Sequence, residues 1–66
     1  MKSLFEIHNY LEHLGFDILP VKQPNGYYRC HLYKNNLHNK TSDKEYSTWQ
    51  ECRDETARII YNHLHK

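Results

Sequence analysis

Phe16-Asp17-Ile18-Leu19-Pro20-Val21-Lys22-Gln23-Pro24-Asn25-Gly26-Tyr27-Tyr28-Arg29-Cys30-His31-Leu32-Tyr33-Lys34 reads as one β-hairpin. Two β-rich runs flank Gln23-Pro24-Asn25-Gly26. There Pro24 presets φ, and Asn25-Gly26 tolerates positive φ. Strand residues alternate between faces. In the second strand, Tyr27 to about Lys34, Tyr28, Cys30 and Leu32 therefore share one face, and Tyr27, Arg29, His31 and Tyr33 the other. The first strand, about Phe16 to Lys22, alternates less cleanly, because Leu19 and Val21 oppose Phe16 and Ile18. Pro20 cannot donate a ladder hydrogen bond and marks an edge strand, a bulge or the open side of a strand.

A helix with its own start signal lies on each side of the hairpin. Ser3-Leu4-Phe5-Glu6 is a capping-box pattern, in which Ser3 accepts from the Glu6 amide and Glu6 reaches back to the Ser3 amide. Leu4, Ile7, Leu11 and Leu14 follow at helical spacing, which predicts a helix from about Leu4 to Leu14. Gly15 is placed to close the helix in the left-handed conformation, with Phe16 folding back onto Leu11. Thr48-Trp49-Gln50-Glu51 repeats the box, with Ser47 or Thr48 as cap. An arc of Trp49, Cys52, Thr56, Ile59, Ile60, His63 and Leu64 then faces the sheet. Asp54 and Arg58 are spaced for an i,i+4 ion pair, and His63, His65 and Lys66 complement the dipole at the helix end. Residues 34–44 read as a polar loop, or a loop plus a short third strand anchored by Leu37 and ending near Tyr46.

These elements give an α+β fold, α-β-β-(β)-α. A small antiparallel sheet carries two helices packed on one face, and residues 1–66 form a single domain. The expected core is Leu4, Ile7, Leu11, Leu14, Phe16, Ile18, Tyr28, Cys30, Leu32, Cys52, Thr56, Ile59 and Ile60. A core this small leads to an expectation of dimerisation, as a homodimer, or of docking on a larger partner. The formal net charge of +1 argues against a strong global field for nucleic acid. No apolar run is long enough for a membrane span and no stretch reads as a signal peptide, so the expected compartment is the cytoplasm.

Candidate chemistry is sparse. The six histidines show no metal-ligand spacing, and no metal or cofactor is expected. Cys30 and Cys52 fall on inward-facing positions and read as buried free thiols, with a disulfide between them as the alternative. Glu51 and Glu55 flank Cys52 and oppose thiolate formation, so no catalytic residue is assigned. The strongest surface signal is the strand face of Tyr27, Arg29, His31 and Tyr33, with Lys34 and Lys40 nearby in sequence. Tyr and Arg concentrate energy at protein interfaces. Aromatic and basic residues interleaved on a strand also stack bases and contact phosphate. The expectation is a non-enzymatic module that binds a protein partner through Tyr27, Arg29, His31, Tyr33, Lys34 and Lys40. The alternative is RNA or single-stranded nucleic-acid binding through the same face and the Lys34–Lys44 loop.

Helix, strands, helix from Ser3 to Leu64 resembles the order of the double-stranded-RNA-binding domain. That resemblance implies the same layer arrangement. Where those domains grip phosphate with a lysine-rich start to the last helix, this chain has Thr48-Trp49-Gln50-Glu51-Cys52-Arg53-Asp54-Glu55. Ser3 to His31 is similar to the start of HicA-type toxins, small ribonucleases, in its Ser-capped helix, Gly15-Phe16 and hairpin. Their catalytic histidine follows a turn glycine, whereas Tyr27 and Tyr28 follow Gly26 here. Tyr46 to Leu64 is similar to the last helix of small phage and bacterial accessory proteins, which implies an accessory role; the expected module is accordingly a phage or mobile-element accessory factor, such as an inhibitor of a host protein.

Overall fold

The computed structural model describes residues 2–65, so Lys66, expected at the end of the last helix, lies outside it. The element order is α1 (Leu4–His13), β1 (Phe16–Lys22), β2 (Tyr28–Lys34), β3 (Leu37–Thr41) and α2 (Trp49–Leu64). The strands form one antiparallel sheet in the order β1-β2-β3. This is the expected α+β architecture, with the third strand present.

Local chemistry sets each boundary. The Ser3 hydroxyl accepts from the Glu6 amide at 3.2 Å and donates to the Glu6 carboxylate at 3.3 Å. The return contact therefore goes to the hydroxyl rather than to the Ser3 amide. Thr48, not Ser47, caps α2 by accepting from the Glu51 amide at 3.1 Å. α1 ends at His13, one residue earlier than expected, and Gly15 follows at φ +90°. In the first hairpin only Gly26 takes positive φ, while Asn25 accepts from the Tyr27 amide through its side chain at 3.0 Å. β2 accordingly begins at Tyr28, not Tyr27. The turn with both central residues at positive φ is Asn35-Asn36 (φ 52° and 68°), which joins β2 to β3. Asn tolerates that geometry, and it matches the twist of a two-residue hairpin. Leu37 does not anchor β3, since it is 74% exposed.

Pro20 sits in the edge strand β1, paired opposite Cys30. Gln23 donates to the Tyr27 carbonyl and Asn35 to the Gly15 carbonyl, so odd-numbered β1 residues hold the ladder bonds. Pro20 therefore turns its missing N–H toward the open edge.

The core has two parts. Ile7, Leu11 and Ala57 are buried where α1 meets α2, with Phe16, Ile18, Ile60 and Tyr61 against them. Cys30, Tyr46 and Cys52 are buried where α2 meets the sheet. Tyr46 also exchanges both backbone hydrogen bonds with Tyr28, at 2.8 and 2.9 Å, and so ties the chain to β2 just before α2 begins. Neither Tyr46 nor Ala57 stands in the expected core. Ile59 and Leu14 do, yet they are 58% and 37% exposed. The reason is that α2 has two neighbours. Packing against α1 as well as the sheet turns its buried stripe toward Cys52, Thr56 and Ala57 and leaves Ile59 outside. Trp49 is 45% exposed, with the Arg53 guanidinium 5.8 Å from its ring centre.

The helices are also clamped by polar groups. His8 Nε2 lies 3.0 Å from Asp54 Oδ1, and Gln50 donates to both Asp54 oxygens at 3.0–3.1 Å. Arg58 pairs with Glu55 at 3.5 Å, not with Asp54. Burial works against the Asp54 carboxylate, but the hydrogen bonds from Gln50 and His8 more than offset it and hold its pKa below the ordinary value. A lowered carboxyl pKa contributes stability above the unfolded-state value, and that stability is lost as pH falls through the folded-state value. Asp54→Asn should thus cost about 1–2 kcal/mol at pH 7. The gap from wild type should close in acid, as urea titrations at neutral and acidic pH would report. Gly15→Ala combines a left-handed φ with a Cβ placed onto the Asn35 side-chain oxygen. It should cost more than about 1 kcal/mol in the same assay.

Candidate functional site

Both helices pack on the face carrying Phe16, Ile18, Tyr28 and Cys30. Nothing among the described residues covers the opposite face. Alternation places Asp17, Leu19 and Val21 of β1 there, beside Tyr33, His31 and Arg29, their respective partners in β2. β3 adds Thr41 opposite His31 and His38 opposite Tyr33. Leu19 and Val21 are 48% and 38% exposed.

The centre of this face is an aromatic and hydroxyl cluster. The His38 ring lies 5.3 Å from Tyr33, edge to face, and 5.5 Å from His31. The Thr41 hydroxyl lies 3.1 Å from His38 Nε2 and 3.4 Å from His31 Nδ1, bridging the two imidazoles. A slip in the register between Leu32 and Tyr33 leaves Asn39 without a partner and brings His38 level with Tyr33.

Arg29 closes one end. Its Nε lies 3.7 Å from Glu45 Oε2, and the same carboxylate accepts from Asn25 at 3.1 Å and from Gln23. These hydrogen bonds, Asn25 first and Gln23 next, hold the Glu45 pKa below the ordinary carboxylate range, with Arg29 adding its charge. Glu45 thereby joins the first hairpin turn to the segment between β3 and α2, and it neutralises the arginine at the rim of the face.

Of the residues expected to bind a partner, Arg29, His31 and Tyr33 share this face. Tyr27 lies in the turn before β2 and is exposed. Lys34 and Lys40 are on the other side of the sheet. The Lys34 ammonium lies 4.2 Å over the Phe16 ring, and Lys40 pairs with Leu32 and lines a cleft beside α2. Leu19, Val21, His38 and Thr41 belong to the face and were not singled out from the sequence. The opposite parity of Leu19 and Val21 to Phe16 and Ile18 was the available signal for the first two.

Cys30 and Cys52 are free and fully buried. Desolvation pushes both thiols up, Cys52 to about 12, which keeps them protonated at neutral pH. Among the described residues no three His, Cys, Asp or Glu side chains are grouped to hold a metal ion, and no helix is long and apolar enough to cross a membrane. Compared with known proteins, the chain matches no protein-family model, no curated protein and no solved structure.

Glu45→Gln would remove the charge that gathers Gln23, Asn25 and Arg29. Amide exchange at Gly26 and Tyr27 should quicken severalfold and the Arg29 Nε resonance should move. The global unfolding midpoint should barely change, because the contact lies at the surface. Nitrogen-detected NMR with amide exchange measures all of these.

Proposed function

We propose that this chain is a non-enzymatic binding module that engages a protein partner through the open face of its sheet. It would work by occupancy, as accessory and inhibitor proteins do. The observation that carries this reading is that Lys34 and Lys40 lie on the side of the sheet away from Tyr33, His31 and His38. Leu19, Val21, Tyr33, His31 and Arg29 lie together on the uncovered face. The lysines that would track a phosphate backbone, Lys34 and Lys40, lie on the other side. Arg29 already faces Glu45, and Asp17 adds a negative charge beside Tyr33. Exposed aliphatic side chains around Tyr, His and a partly satisfied Arg suit an interface core with a polar rim. A continuous polyanion would meet a mixed and weakly charged surface there.

A second reading, single-stranded nucleic-acid binding, draws support from the Tyr33–His38–His31 ring cluster, which offers stacking surfaces on one face.

The test is capture from lysate of the native host on the immobilised chain, with and without nuclease, followed by titration of the identified partner. The expected result is a protein retained after nuclease treatment. Leu19→Lys with Tyr33→Ala should weaken its binding by more than about tenfold, while Lys34→Ala with Lys40→Ala leaves it unchanged. Recovery that vanishes with nuclease, or an affinity that falls steeply with salt, would transfer the assignment to nucleic acid. Undiminished capture by the Leu19→Lys, Tyr33→Ala protein would remove this face from consideration.

A further inference from the structure

The helical layer is offset from the sheet beneath it. α2 packs on β1 and β2, and α1 on β1 and α2, but neither helix touches β3. The uncovered strip beside α2 is a cleft of about 620 Å³. That volume lies within the range of small-molecule sites. Its walls are apolar: Ile59, Ile60 and Leu64 from α2, and Phe16 and Leu32 from the sheet. Its floor is Cys30, Tyr46 and Thr56. The Thr56 hydroxyl is buried there beside the Cys30 thiol and the Tyr46 hydroxyl. Its rim carries Lys40, Lys44 and His63 against the single acid Asp43.

We infer that this cleft binds a medium-chain carboxylate, with the chain between α2 and the sheet and the carboxylate at the lysine rim. Two observations point to that class. Apolar walls from two elements match a hydrocarbon chain, and burying Ile59, Leu64 and Leu32 against it removes their exposed area from water. The excess of cations at the rim matches an anionic head.

This site lies on the opposite side of the sheet from the proposed protein-binding face, so the two can be tested separately. Octanoate and decanoate, below micelle formation, would be titrated into the full chain and followed by methyl NMR. The expected result is saturable movement of the Leu32, Ile59, Ile60 and Leu64 methyl resonances, with Leu19 and Val21 still. Affinity should rise about tenfold or more from octanoate to decanoate, at roughly fourfold per methylene. Decyltrimethylammonium should bind at least fivefold more weakly, and Lys40→Glu with Lys44→Glu should abolish the preference for the anion. Ile59→Glu, at an exposed position that leaves the core intact, should block the chain while circular dichroism stays unchanged. The proposal is overturned by unmoved cleft methyls, by equal binding of anion and cation, or by shifts that centre on Leu19 and Val21. A designed acidic helical peptide that moves the same methyls more tightly than decanoate would also overturn it, in favour of a peptide groove.

Discussion

Tyr46 is the joint on which the two layers depend. Its backbone pairs with Tyr28 as an isolated bridge beyond β3, and its ring is buried with Cys30 and Cys52. One residue thus belongs to the sheet through its main chain and to the interlayer core through its side chain. Thr48 caps α2 two residues later, so the bridge fixes where α2 starts over the sheet. From that start Cys52 meets Cys30, and Ala57, one to two turns on, lets α1 approach closely. The Tyr10–Tyr61 edge-to-face pair and the Asp54 clamp then complete the helix contact.

The parts of this fold that were legible in the sequence carry a local mechanism. Ser3 and Thr48 mark helix starts because their hydroxyls accept amides that have no intrahelical partner. Gly15 marks a stop because it alone tolerates its φ. The hairpin parity of Tyr28, Cys30 and Leu32 against Arg29, His31 and Tyr33 follows from the pleat. β3 was harder to see for a physical reason. Leu37-His38-Asn39-Lys40-Thr41 shows no alternation of burial, because no helix covers that strand and it is exposed almost throughout. Its best sign was the turn before it, Asn35-Asn36. Tyr46 reads only as the end of a third strand, which in fact stops at Thr41; its burial has no sequence signal, because a single buried residue between polar neighbours has no periodicity. The buried stripe of α2 was misplaced because a helix read alone does not disclose a second neighbour.

The candidate site divides along the same line. Arg29, His31 and Tyr33 were placed on one face by alternation alone. Lys34 and Lys40 were grouped with them by closeness along the chain, which says nothing about sides of a sheet. Lys34 could have been assigned by parity. Lys40 could not, since its side depends on the unpaired Asn39, and His38 reaches Tyr33 by the same slip. The separation of Lys34 and Lys40 from the Tyr33 face, which favours a protein partner, is therefore complete only once the register is known.

Pro20 and Asn39 share a consequence for how this molecule meets others. A three-stranded sheet has two free edges, each a template for a further strand and hence for runaway polymerisation. On one edge Pro20 presents a ring in place of a donor. On the other, the register slip at Asn39 breaks the regular spacing of the free main-chain groups, and Lys40 stands beside it. Growth by strand addition is discouraged at both sides. A chain this rich in tyrosine is thereby steered away from fibrils and toward contacts made by side chains across the flat of the sheet.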